Sequence, residues 1–116
     1  MKRGDVVLVQ VPFVGTVGTK LRPALIVQAD SLSGMLRETI IVAITSNLAN
    51  VYQPHQLLIE IATADGAASG LLTNSAVRCE RLHTIPQVDV KRTIGQLSSS
   101  LMAKVDECLK SALAIR

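Results

Sequence analysis

Apolar residues recur along this chain at two different spacings, and the change near residue 98 divides it in two. Ahead of that point the apolar stretches are short, rich in Val and Ile, and separated by Gly, Pro, Ser and Asn. That is the pattern of strands joined by turns. Residues 5–11 (DVVLVQV) read as a strand whose nearly continuous apolarity predicts burial on both faces. A loop over 12–21, containing Gly15 and Gly18, leads to a second strand over 24–28. Asp30 to Arg37, with Ser31, Ser33 and Gly34, is expected to be a turn region. Thr39–Thr45 (TIIVAIT) carries the strongest strand signal. Residues 46–55 are polar, contain Pro54 and read as loop; 56–61 read as strand. Residues 62–70 are a small-residue connection, and 71–80 and 93–97 look extended.

Beyond residue 98 the period lengthens. Leu101, Val105, Cys108, Leu109, Ala112 and Ile115 recur at three and four residues, an amphipathic helical stripe, with Ser98 or Ser99 as its N-cap. Several short strands and one terminal helix predict a mainly β fold: a small, strongly curved sheet or open barrel carrying that helix. At 116 residues there is room for one domain (1–116) with one core, and no internal repeat or linker interrupts it.

Composition refines this picture. The apolar share of 48% suffices for a dry core without metals or disulfides. Cys79 and Cys108 lack companion ligands at metal spacing, so a reduced pair is expected, with no metal site. No apolar run is long enough to cross a bilayer and no leader pattern opens the chain, which predicts a cytoplasmic protein without membrane contact. A net charge of +3 leans toward a polyanionic partner. Phe13 and Tyr52 are the only aromatics, so a nucleic-acid contact built on stacked aromatic platforms is excluded. Binding would rest on Arg, Lys, hydroxyl and backbone donors.

Candidate chemistry follows from position. Pro23 pushes Arg22 toward an extended backbone, planting a permanent charge at the root of a loop, where it can hold a phosphate. Thr45 and Ser46 end the central strand, where their hydroxyls meet a loop. Arg78 and Glu80, two residues apart, project to one strand face, with Asn74 and Ala76 on it and Val77 and Cys79 opposite. They form either a surface ion pair, worth little, or a proton acceptor beside a charge stabiliser. The loop GTVGTK (15–20) lacks the GxxxxGK[ST] spacing and no helix follows it, so a nucleotide P-loop is rejected. His55 and His83 stand in polar contexts and read as solvated surface residues.

Taken together, GDVVLV at the start, KLRPALIV after the loop, AITSN at 43–47 and VRCERLHTI at 77–85 resemble the MazF/PemK toxin family, and the segment from Ile94 through Leu113 resembles its last strand and helix. The resemblance implies a small SH3-like β-barrel with a C-terminal helix, acting as a homodimer. It implies cofactor-free, metal-independent cutting of single-stranded RNA at short sequences by 2′-hydroxyl attack, leaving 2′,3′-cyclic phosphate and 5′-hydroxyl ends. Arg22 then matches the family's catalytic arginine and Thr45 its catalytic hydroxyl; Arg78 and Glu80 match an arginine and acid of the PemK-like branch. Some relatives place a histidine where this chain has Thr16.

On that reading Arg22 and Arg78 stabilise charge, Thr45 with Ser46 donates to a phosphate oxygen, and Glu80 is the base, helped if burial raises its pKa toward neutrality. Thr16, Lys20, Ser46, Asn47 and Arg81 are candidate RNA contacts. A cognate antitoxin with an acidic, partly disordered tail is the implied partner, with DNA engaged only through the antitoxin complex. The competing readings are a non-enzymatic toxin of the same fold that binds and poisons DNA gyrase, and a plain SH3-like interaction module.

Overall fold

In the computed structural model, which describes residues 1–10 and 20–116, antiparallel pairing assembles six strands into one curved sheet. The elements are β1 (Asp5–Val9), β2 (Arg22–Ile26), α1 (Asp30–Ser33), β3 (Glu38–Thr45), β4 (Gln56–Ile59), α2 (Ala64–Ala68), β5 (Ser75–Pro86), β6 (Val90–Gln96) and α3 (Ser99–Leu113). The strand order is β4-β5-β3-β2-β1-β6. The fold is therefore mainly β with a C-terminal helix, as expected.

Alternation along each strand builds two apolar layers. Val6, Leu25, Val42, Ile44, Val77 and Cys79 pack on the side covered by Val105 and Cys108 of α3. Val7, Val9, Ala24, Ile26, Ile41 and Ile85 form the other layer. The β1 side chains divide between the two, which is why this strand reads as almost uninterruptedly apolar. Ser98 caps α3, its Oγ accepting from the Leu101 amide at 3.2 Å. Ala114 turns left-handed at φ 55° and ends the helix, so Ile115 leaves the expected stripe and stays exposed.

Several expectations need correcting. The second strand runs Arg22–Ile26 rather than 24–28, and the fourth ends at Ile59 rather than residue 61. The turn region after Asp30 opens with the short helix α1, and the connection over 62–70 contains α2, capped by Thr63 Oγ1 accepting from the Gly66 amide. The extended segment starts at Ser75, not residue 71, and β5 runs on to Pro86. It does so through an irregularity: Val42 pairs with Leu82 but Ala43 with Arg78, so residues 79–81 bulge out of the β3 ladder. The last strand begins at Val90, not residue 93. The loop expected over 12–21 lies outside the described residues except at its end.

No ladder joins edge strands β4 and β6 among the described residues. Instead the end of α2 abuts β6, backbone to backbone. A Cβ on Gly95 would collide with the Ala68 carbonyl oxygen, and one on Gly70 (φ +73°) with the Ile94 carbonyl oxygen. Only glycine permits this approach at the left-handed Gly70. No helix among the described residues is long and apolar enough to cross a membrane.

Cys79 on β5 and Cys108 on α3 meet as free, buried thiols. Burial first, then the Cys108 thiol and the Glu80 charge, push the Cys79 pKa up to about 12. A thiol so far from ionisation is a poor nucleophile. Iodoacetamide at pH 8 is therefore expected to leave Cys79 unmodified in the native protein and to label it fully in denaturant, read by mass spectrometry. The folded state holds this proton more tightly than the unfolded one, so the contribution to stability is complete below the ordinary thiol range and is lost as pH rises toward 12.

Candidate functional site

Strand ends bring the first two candidates together. Ala24 pairs with Ala43, and carrying that register two residues outward sets Arg22 opposite Thr45. Arg22 opens β2 and Thr45 closes β3, both half-buried. Pro23 confines Arg22 to extended backbone, so its guanidinium leaves from a fixed root. Thr45 Oγ1 accepts from the Asn47 amide at 3.1 Å, and Asn47 Oδ1 accepts from the Ala49 amide at 3.0 Å. These local turns fix the strand end. They occupy an acceptor site of the Thr45 hydroxyl and leave its proton to be donated elsewhere.

Arg22, Thr45 and Ser46 border a cleft of about 610 Å³. Its apolar floor is Leu8, Pro23, Ile44 and Ile94; Gly70, Leu71, Leu72, Thr73 and Ser75 form one wall, and Arg92 stands on β6. Among the described residues, two arginines and no carboxylate line it. A cleft of one charge sign with apolar walls concentrates the field on an incoming anion.

Arg78 and Glu80 lie outside that cleft but near it. Ala43 pairs with Arg78 and Thr45 with Ala76, so Arg78 shares the face of Arg22 and Thr45 and is Thr45's diagonal neighbour. Such neighbours stand about 7–8 Å apart, within reach of a long side chain. Arg78 Nη2 and Nε donate to Glu80 Oε2 at 3.2 and 3.3 Å, and Gln56 Nε2 donates to the same oxygen at 3.1 Å. The two charged side chains are each 30% exposed, so this is a half-open ion pair with a buried amide behind it.

The protonation of Glu80 corrects the sequence expectation. Partial burial does act to raise its pKa and is the largest single influence. The hydrogen bonds from its own amide and Gln56, with the Arg78 charge, outweigh it and hold the carboxyl below the usual range. Glu80 is ionised at neutral pH and is a weak base. The folded state then releases this proton more readily than the unfolded state, so the stabilisation is present above the ordinary carboxylate range and is lost as pH falls through the lowered value. Arg78→Met is expected to move Glu80 titration upward in carboxyl-carbon NMR; an unmoved curve would show that Gln56 and the backbone suffice.

Among the remaining candidates, Ser46 and Asn47 are exposed beside Thr45. Arg81 is exposed in the β5 bulge, and Lys20 is exposed just before β2; neither borders the cleft. Thr16 lies outside the described residues. Gln56 and Arg92 escaped the sequence reading. Lys91-Arg92 was a visible basic pair, but its place beside the cleft depends on pairing with Leu8, far away in sequence.

Comparison with known proteins supplies independent footing. Residues 2–113 match the family model described as PemK-like, MazF-like toxin of type II toxin-antitoxin system. The chain is 30% identical to endoribonuclease MazF9 of Mycobacterium tuberculosis, over 95% of this chain and 93% of that protein. It is also 30% identical to endoribonuclease EndoA of Bacillus subtilis, covering 99% and 96% of the two chains. In fold it is similar to a mycobacterial endoribonuclease solved in complex with its cognate antitoxin, with a TM-score of 0.80 at 18% identity over 100% and 97% of the chains.

Proposed function

Because the chain belongs to the PemK-like, MazF-like toxin family of type II toxin–antitoxin systems, we propose that it is an endoribonuclease toxin that cuts single-stranded RNA with Arg22 and Thr45 at the scissile phosphate. The observation that carries the residue assignment is that Arg22 and Thr45 border one cleft, which no carboxylate lines among the described residues.

The chemistry follows from the groups present. The ribose 2′-oxygen bonds to phosphorus and the bond from phosphorus to the 5′-oxygen breaks. A 2′,3′-cyclic phosphate and a 5′-hydroxyl result. The phosphorane between them carries added negative charge, which Arg22 meets as a fixed cation and Thr45 as a hydroxyl donor. A guanidinium is a delocalised, permanent cation, so Arg22 and Arg78 stabilise charge in this scheme and do not shuttle protons. Glu80 takes the 2′-hydroxyl proton, weakly in view of its lowered pKa, while Arg78 orients it. Water protonates the leaving 5′-oxygen.

The test is cleavage of a short RNA in EDTA beside the same RNA with one 2′-deoxyribose at the mapped scissile position. The first is expected to be cut and the second to persist. Efficient cutting of the deoxy substrate would overturn this route, since DNA-like sugar lacks the nucleophile.

The working unit proposed is a homodimer of this single domain in the cytoplasm, silenced by a cognate antitoxin. Support for the antitoxin is the complex in which the structural neighbour was solved. DNA would be touched only through that complex. Gyrase poisoning by a non-enzymatic barrel finds no support, because the similar curated proteins are named endoribonucleases.

A further inference from the structure

We infer that Arg92 holds a second RNA phosphate, one flanking the scissile linkage, across the cleft from Arg22. The inference rests on the nuclease reading of that cleft. Leu8 of β1 pairs with Pro23 on one side and with Arg92 on the other, while Val9 pairs with Arg22. β1 therefore stands between the two arginines, and their strands lie two spacings apart, about 10 Å. Alternation sends them to opposite faces: Arg92 with Leu8, Arg22 with Val9. Both nonetheless border the same cleft, reaching it from either side of β1 rather than converging on a single point.

Both are available to an anion. Among the described residues Arg3 is paired with Asp106 and Arg78 with Glu80, whereas Arg22 and Arg92 have no carboxylate partner. Arg92 is exposed, and the cleft that both arginines border is also lined by the apolar Leu8, Pro23 and Ile94. A polyanion lying in this cleft meets one guanidinium at each side, with its sugars and bases over the aliphatic surface. A small free anion would need only one of them. Arg92 thereby sets the direction and register of the strand and contributes binding rather than bond breaking.

The test measures affinity for an uncleavable 2′-deoxy-substituted RNA across a salt series, together with KM and kcat on the cleavable RNA. Arg92→Ala is expected to bind roughly tenfold more weakly. It is also expected to lower the slope of log affinity against log salt by about 0.7, one phosphate contact to a single strand, and to raise KM with kcat within twofold. Arg92→Lys is expected to restore the slope. Replacing flanking phosphates one at a time with uncharged methylphosphonate should identify one position that weakens the wild type and leaves Arg92→Ala unaffected.

If no position behaves so, Arg92 is only a charge guarding the β6 edge and the inference fails. A fall in kcat at unchanged KM would also overturn it, by placing Arg92 at the scissile phosphate. Because binding is read on uncleavable RNA, absence of cleavage by the wild type would sink the nuclease reading separately.

Discussion

Arg22→Ala is expected to slow RNA cleavage by about 10²–10³-fold, equivalent to about 3–4 kcal/mol of barrier, without loosening the fold. The size follows from what is removed: a fixed donor aimed where charge develops in the transition state. Its independence from stability follows from position. Arg22 is half-buried at the first residue of β2, makes no ion pair among the described residues, and is followed by the buried run Ala24-Leu25-Ile26 that holds the strand. Truncation at such a site changes stability by roughly 0.5 kcal/mol or less. Arg22→Lys keeps a charge but loses the planar fork, so an intermediate rate is expected. Single-turnover cleavage beside a thermal melt separates the two effects. Near-normal rates in the alanine variant would remove Arg22 from the mechanism.

Gly70→Ala is expected to act the opposite way, on the fold first and on cleavage only as its consequence. The residue sits at φ +73°, where a side chain costs about 1–2 kcal/mol. The added Cβ would also collide with the Ile94 carbonyl oxygen, and overpacking of that kind costs about 1–3 kcal/mol. About 3 kcal/mol in total corresponds to a fall in melting temperature of more than about 10 °C. Gly34, whose Cβ would meet nothing within 4 Å, is the matched control: Gly34→Ala should melt close to the wild type. Equal melting of the two variants would mean that α2 and β6 part without consequence.

How much of this was readable beforehand depended on range along the chain. β1, β2, β3 and α3 were legible because each declares itself within one window: Val/Ile runs for the strands, the Leu101-Val105-Cys108 stripe for the helix. α1 and α2 were not, since four or five residues complete barely one turn and show no period. The bulge at 79–81 has no local signature; it is defined only by the register in which β5 pairs with β3.

The site divides in the same way. Arg22, Thr45 and Ser46 could be picked out because strand ends are visible in sequence, and ends are where side chains reach a loop-lined cleft. The pairing of Arg78 with Glu80 followed from strand alternation alone. The direction of the Glu80 shift did not, because Gln56, which helps set it, arrives from another strand. Arg92 was hidden for the same reason, its neighbour Leu8 lying at the far end of the chain.

The glycine seam at residues 70 and 95 leads directly into Leu71, Leu72 and Thr73, which wall the cleft, and it touches Ile94 of its floor. The contact of α2 with β6 and the shape of the cleft are thus one mechanical joint. A lineage that reshapes this wall to prefer a different RNA word must work within the tolerance of two backbones already in contact. Sequence preference at the Gly70 side is thereby tied to the integrity of the fold itself.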